Sequence, residues 1–167
     1  MKREQISVEE LKGLLRYDPM TGNFTRLVTT APHKGRAGDL AGTINHFGHV
    51  VITLRCVRYR AHRLAWLYMT SEWPSGEIDH RNGIPSDNRW ENLRDVTTQI
   101  NAQNKRRAMS NSKTGLLGAS WNAKDKKFTA RLKVEGKYLS LGNHATAADA
   151  HAAYVNAKRR LHAGCTI

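Results

Sequence analysis

Residues 77 to 101, EIDHRNGIPSDNRWENLRDVTTQIN, constrain the fold more than any other stretch of the chain. Glu77 to His80 reads as a strand, and Arg81 to Glu91 as a long loop rich in Asn, Gly and Pro. Asn92 to Val96 reads as a second strand, and Thr97 or Thr98 offers an N-cap for a helix through Gln99, Ile100, Asn101 and Asn104. This β-loop-β-helix order places Asp79, His80, Asn92 and Asn101 where they can converge on one cleft.

Those side chains suit one kind of chemistry. Asp79 offers a carboxylate and Asn101 an amide oxygen, ligands that a hard ion such as Mg²⁺ or Mn²⁺ prefers. His80, with an unperturbed pKa of about 6.5, is a natural general base near neutral pH. Neighbours on a strand point to opposite sides, so Asp79 and His80 need a local bend to serve one site, and the loop beginning at Arg81 supplies it. Asn92 can pair with the imidazole or its backbone and fix the ring. Asn88 is read as ordinary turn chemistry, because Asn in loops most often closes Asx turns. Phosphodiester cleavage needs an activated water, charge neutralisation on the phosphoryl oxygens and help for the departing 3′ oxygen.

Charge points to a polyanionic partner. The chain carries 27 Lys and Arg against 14 Asp and Glu, a formal net charge of +13. Such an excess gains free energy by releasing counterions from phosphates. A ribosomal or membrane-surface protein would also be basic, but no amphipathic basic helix suggests a bilayer. The charge divides unequally: residues 1–104 hold 14 basic and 11 acidic residues, and residues 105–167 hold 13 and 3. The first part retains the acids a metal site needs, and the second is the polyanion grip. Cys56 and Cys165 are too far apart for a disulfide framework or a Cys-x-x-Cys metal site, so no zinc is expected. With no run of about 18 apolar residues and no secretory signal in MKREQISVEE, a cytoplasmic protein is expected, with no membrane partner.

The flanking sequence gives a small mixed β/α region first. Ser7-Val8-Glu9-Glu10 is a capping box that starts a helix to about Arg16, with Glu10 placed to reach back to Ser7. Phe24 to Val28 reads as a strand, Thr29 to Gly48 as irregular with Leu40 to Ile44 a possible short strand, and Val50 to Leu54 with Val57 to Ala61 as a hairpin. His62 to Met69 reads as a helix, with His62 in a structural hydrogen bond. His33, His46 and His49 lack metal spacing and receive no role. Beyond Asn104, KRRAMSNSKT reads as a basic linker. Strands at Leu117 to Asn122, Phe128 to Val134 and Tyr138 to Leu141 follow, split by Lys-Asp-Lys and Glu-Gly-Lys turns, and a helix runs from Thr146 to about His162. Alternation sends Phe128, Ala130, Leu132 and Val134 towards that helix, and Thr129, Arg131 and Lys133 to the other face with Tyr138 and Ser140. By the same parity Trp121 falls on the helix side, although a bulge would turn it outwards.

IDHRNGIPSDNRWENLRDVTTQIN resembles the core of the HNH endonuclease family, especially phage homing-type enzymes, from about Tyr59 to Asn104. The resemblance implies a ββα-metal fold in which Asp79 and Asn101 hold one divalent ion, Mg²⁺ or Mn²⁺. It also makes His80 the base that activates water and Asn92 the group that orients that base. ELKGLLRYDPMTGNFTRL is similar to the N-terminal region of phage HNH proteins. The zinc-binding Cys cluster that some HNH enzymes add is missing here, leaving the motif to packing, with Trp66, Trp73 and Trp90 as candidates. Residues 114–163 resemble the Apetala-type, or ethylene-responsive-factor, DNA-binding domain, on Gly118, Phe128-x-Ala130-x-Leu132, Leu141-Gly142 and the Ala-Ala-Tyr of the last helix. That likeness implies a sheet read into double-stranded DNA by Ser120, Asn122, Lys127, Arg131, Lys133, Tyr138 and Ser140. Lys105, Arg106 and Arg107 would follow the backbone or minor groove.

The expected class is therefore α+β. An N-terminal helix and β-rich region (1–58) leads to an HNH nuclease core (59–104), a basic linker (105–114) and a three-stranded antiparallel sheet packed on one helix (115–167). The expected function is metal-dependent hydrolysis of double-stranded DNA inside a bacterial or phage-infected cell. Monomer and dimer remain equally open, as do nicking and double-strand cutting. A non-catalytic DNA-binding regulator with an inactive HNH core is the alternative. An RNA-binding protein is a third reading, disfavoured by the lack of a base-stacking aromatic pair.

Overall fold

The computed structural model describes residues 6–30 and 35–167; His33 and the first five residues fall outside it. The chain forms two compact units, residues 1–97 and 98–167.

In the first unit, Ser7 caps α1 (Val8–Leu14), its Oγ accepting from the Glu10 amide at 3.2 Å. The other half of the expected capping box is redirected, since the Glu10 carboxylate lies 2.6 Å from Arg55 Nε. The helix ends at Leu14 rather than Arg16. Leu15 and Tyr17 alternate inwards as β1 (Leu15–Tyr17), pairing antiparallel with β2 (Phe24–Arg26). Packing of both residues into the core outweighs another half-turn of helix. A short strand β3 (Thr43–Ile44) pairs with β4 (Val50–Leu54), which forms a tight hairpin with β5 (Val57–Arg60). Its two turn residues, Arg55 and Cys56, both have positive φ, the signature of a type I′ turn in which a non-glycine residue is strained. Helix α2 (Ala61–Thr70) follows at once and buries Ala61, His62, Leu64, Ala65 and Leu67. Then β6 (Glu77–His80) pairs antiparallel with β7 (Leu93–Val96) across the loop, whose last turn is a 3-10 turn at Trp90–Asn92.

One apolar core runs through this unit. It contains Leu11, Leu15, Tyr17 and Phe24 from the N-terminal segment, Ile52, Leu54, Leu64 and Leu67 from the middle, and Ile78 and Leu93 from the β6–β7 hairpin. The stretches expected as separate segments, 1–58 and 59–104, therefore share one interior as far as Leu93. Trp66 and Trp73 pack against that core, and Trp66 lies 5.1 Å from the Trp90 ring.

In the second unit, α3 (Thr98–Gln103) is tied to the C-terminal tail: Gly164 N donates to Gln103 Oε1 at 2.9 Å. The basic stretch expected as a linker is also held. Lys158 Nζ donates to the Lys105 carbonyl, and Arg106 Nη2 donates to the Thr166 carbonyl at 2.7 Å and hydroxyl at 2.8 Å. Three antiparallel strands, β8 (Ala119–Asn122), β9 (Lys127–Val134) and β10 (Lys137–His144), lie in the order β10-β9-β8. Helix α4 (Ala147–Leu161) is capped by Thr146, whose Oγ1 accepts from Asp149 N. Small residues Ala119, Ala130 and Ala150 let helix and sheet approach closely. Gly118, at φ +78°, is needed there, because a Cβ on it would lie 2.0 Å from the Tyr154 ring. Among the described residues no helix is long and apolar enough to cross a membrane.

Candidate active site and nucleic-acid face

The β6–β7 register is unbroken to the end of the strand, with Asp79 opposite Arg94 and His80 opposite Leu93. No bend separates them, contrary to the expectation from the sequence. The pleat presents Asp79 with Arg94 on one face and His80 with Leu93 on the other. Asp79 is buried, and its Oδ2 accepts from Arg94 Nε at 2.9 Å and Nη2 at 2.7 Å. Both members of this ion pair are largely out of solvent, where a guanidinium and a carboxylate hold each other firmly.

His80 is buried on the core side, 5 % exposed. Its Nε2 lies 3.2 Å from Asn88 Oδ1, and Asn88 itself is 2 % exposed. An amide oxygen only accepts, so this contact makes Nε2 the protonated nitrogen and leaves the lone pair on Nδ1. Asn88 is thus the partner of the imidazole, a role the sequence reading gave to Asn92 while leaving Asn88 to the turn. Asn92 instead ties the loop to itself: its Oδ1 accepts from Asn82 N at 2.9 Å and its Nδ2 donates to the Asp87 carbonyl at 2.7 Å. Asn92 fixes His80 only indirectly, by setting the path of the loop that carries Asn88.

That loop is braced from two sides. Within it, Arg89 grips Asp87 through Nε at 2.9 Å and Nη2 at 2.7 Å, and this pairing holds the Asp87 carboxyl down at about 2. From outside, Tyr17 Oη donates to the Asn88 carbonyl at 2.6 Å and Trp90 N to the Pro19 carbonyl at 3.0 Å. Gly22, at φ +75°, passes so close that a Cβ there would lie 2.4 Å from Asn88 carbonyl carbon. The N-terminal β1–β2 hairpin therefore positions the residue that positions His80.

Two further histidines that the sequence left without a chemical role stand beside it. His49, just before β4, and His62, on α2, place their rings 5.8 Å and 5.0 Å from that of His80. His62 makes no structural hydrogen bond through Nδ1, which is buried without a partner, and the same holds for His49 Nδ1. Burial, with the neighbouring His80, His49, Arg60 and Arg63 as further causes, pushes the His62 imidazole down to about 2. His49 is lowered by burial and then by Arg60 and His80, against a bond to the Pro85 backbone. His80 is lowered by burial, while the Asn88 contact and the charges of Asp79 and Asp87 pull upwards. All three rings are neutral at pH 7. No motif spacing announces this cluster, because its members come from three elements joined only by the tertiary fold.

Asn101, the other expected ion ligand, lies on α3 in the second unit and is half-buried. In that unit's sheet, Ser140 pairs with Arg131 and Tyr138 with Lys133, and all four are exposed on one face. Lys133 Nζ sits 5.8 Å from the Tyr138 ring centroid. Ser120 shares the face and hydrogen-bonds Thr129 through its hydroxyl at 2.9 Å. Lys127 is exposed opposite Asn122, but the Asn122 amide closes the turn: Oδ1 accepts from Lys124 N at 3.0 Å and Nδ2 donates to Asp125 Oδ2 at 2.8 Å. Trp121 pairs with Phe128 at 4.9 Å between ring centroids and is 48 % exposed, so parity keeps it on the Phe128 side at the sheet margin. Lys105 and Arg107 are exposed beside Arg106.

Comparison with known proteins meets this geometry at one segment. The family model for HNH endonucleases matches residues 59–103, from β5 through α3. The match supports a nuclease; HNH nucleases as a family act on DNA and generally use a divalent ion. No curated protein and no solved structure matches the chain.

Proposed function

We propose that the protein is a metal-dependent DNA endonuclease of the homing type, in which residues 59–104 cut and the C-terminal sheet and helix hold double-stranded DNA. The observation that carries this reading is His80, a neutral imidazole locked by a buried Asn88 inside the segment that matches the HNH family. A base that is unprotonated at neutral pH and fixed in orientation can take a proton from water without first losing one.

Asp79 and Asn101 are the proposed ion ligands. A carboxylate and a carboxamide oxygen form a hard donor set, which fits Mg²⁺ or Mn²⁺. When bound, that ion neutralises phosphoryl oxygens and supports the departing 3′ oxygen. His80 serves the attacking water. The expected products carry a 5′-phosphate and a 3′-hydroxyl. Arg131, Lys133, Tyr138 and Ser140 form the proposed grip, an Apetala-type sheet face, with Ser120 and Lys127 beside them. Of the basic trio before it, Lys105 and Arg107 are the better phosphate contacts, since Arg106 already serves Thr166. Asn122 is the weakest candidate for a base-edge contact, because its amide is committed to its own turn.

Plasmid nicking with Mg²⁺ tests the reading. Wild type is expected to convert supercoiled plasmid to nicked or linear forms, His80→Ala to lose at least about 100-fold in rate, and both to bind DNA alike. A non-catalytic regulator is favoured by the Arg94–Asp79 pair, because Arg94 already neutralises the carboxylate that would hold the ion. Intact plasmid after prolonged incubation with wild type would establish that second reading.

A further inference from the structure

We propose that His49, His62 and His80 form a separate site for one transition ion of the Zn²⁺ class, whose binding takes His80 out of catalysis and switches the nuclease off. The inhibitory half of this statement rests on the function proposed above; the site itself does not.

One ring nitrogen from each of the three histidines lies within 4.8 Å of the others. Zinc bonds imidazole nitrogen at about 2.0–2.1 Å, which sets nitrogens of a tetrahedral site about 3.4 Å apart. Side-chain rotation of about an ångström or less per ring closes the difference. The rings come from the loop before β4, from α2 and from the end of β6, three elements sharing one core. They are therefore presented by a frame rather than by a loose segment.

Two further observations point to a cation. His49 Nδ1 and His62 Nδ1 are buried without a hydrogen-bond partner. A buried polar nitrogen left unsatisfied costs stability, and a bound cation removes that cost. His80 Nε2 is engaged with Asn88 Oδ1. A ligating imidazole usually donates its second N–H to a carbonyl or carboxylate, which fixes the tautomer and aims the lone pair. Asn88 stands in that relation to a metal bound at Nδ1.

The donors are all imidazole nitrogens. Such a set selects Zn²⁺, Co²⁺, Ni²⁺ or Cu²⁺ over Mg²⁺ and Mn²⁺, which favour oxygen. Three protein ligands leave a fourth position for water on the side of half-exposed His49. A His80 lone pair given to the ion is no longer available to accept a proton. Inhibition therefore needs no conformational change.

The test uses metal-free full-length protein titrated with Zn²⁺ by calorimetry, and with Co²⁺ by visible absorption. Wild type is expected to take one equivalent of either ion, Co²⁺ giving the intense bands of a tetrahedral nitrogen-ligated site. His49→Gln and His62→Gln should each weaken Zn²⁺ binding about 100-fold, at least what loss of an outer-shell partner alone can cost. In the presence of saturating Mg²⁺, one equivalent of Zn²⁺ should stop nicking by wild type, and a chelator should restore it. The same Zn²⁺ should spare His49→Gln, each rate being scaled to that variant's own rate without zinc. Unaltered Zn²⁺ affinity in both variants, or octahedral Co²⁺ in wild type, overturns the site even if one Gln variant misfolds. Zinc that binds through the histidines yet leaves nicking unchanged overturns the inhibitory role and the assignment of His80 as base. Absence of nicking in Mg²⁺ alone would sink the nuclease reading, while the binding titrations still decide the site.

Discussion

Acid should weaken the first unit through His62, and by an amount that can be worked out. The ring is 2 % exposed and pushed down to about 2 in the folded protein, chiefly by burial, whereas an unfolded chain binds the same proton at about 6.5. The folded value lies below the unfolded one, so the unfolded state takes the proton first as pH falls. Stability is then complete above about pH 6.5 and is lost progressively below it, towards the folded value. One proton of difference gives a slope of about 1.36 kcal/mol per pH unit, and pH 5 lies about 1.5 units below the unfolded value. His62 alone therefore costs the fold about 2 kcal/mol between pH 7 and pH 5. For a domain of ordinary stability, about 5–15 kcal/mol, that is a large share.

The measurement is urea unfolding at pH 5, 6, 7 and 8 in the presence of a chelator, followed by tryptophan fluorescence. Trp66, Trp73 and Trp90 report on the first unit. His49 and His80 are also lowered by burial and add to the slope, so the useful quantity is a difference. His62→Gln keeps a polar side chain of similar reach but cannot take up the proton. Its unfolding free energy should fall by about 2 kcal/mol less than that of wild type over the same range, a relative shift in midpoint of about 1 M urea. Parallel curves for the two proteins would mean that His62 is solvated or charged when folded, and the reasoning from burial would fail.

Two more outcomes follow from the second unit. Arg131→Ala with Lys133→Ala should weaken binding to duplex DNA in fluorescence anisotropy and flatten its log-log salt dependence by about two units, one per lost phosphate contact. An unchanged slope would remove this sheet face from the DNA interface. Gly118→Ala should destabilise the second unit by at least about 1–3 kcal/mol, because the new Cβ would strike the Tyr154 ring at a φ that also disfavours alanine. Hydrogen exchange in β8 and α4 should rise accordingly, and unaltered protection there would show that the ring yields freely.

What could be read from the sequence was whatever depends on neighbours along the chain. The β6–loop–β7 order, the β4–β5 hairpin, the cap at Thr146 and the alternation of β9 all follow from local pattern and turn chemistry. The failures share a different cause. Leu15 and Arg16 left the helix for a strand because their partners, Arg26 and Thr25, are eleven and nine residues away. Lys105 and Arg106 looked like a free linker because Lys158 and Thr166, which hold them, lie beyond any local window. Asn88 looked like a turn residue because its own neighbours are turn residues, and only the folded hairpin brings His80 Nε2 to its amide.

The same distinction separates the two halves of the candidate site. Asp79, His80, Asn92 and Asn101 stand in a fixed spacing, so a linear motif can carry them, and the family match spans all four. His49 and His62 have no such spacing relative to His80, and no zinc was expected from the scattered cysteines. A nitrogen-donor cluster assembled from three elements tolerates insertions between them, whereas a strand-and-helix motif does not. Chemistry built on a motif is therefore visible before folding. Chemistry that intercepts it, by claiming the lone pair of the same His80, becomes visible only when α2 and β4 are packed against the hairpin.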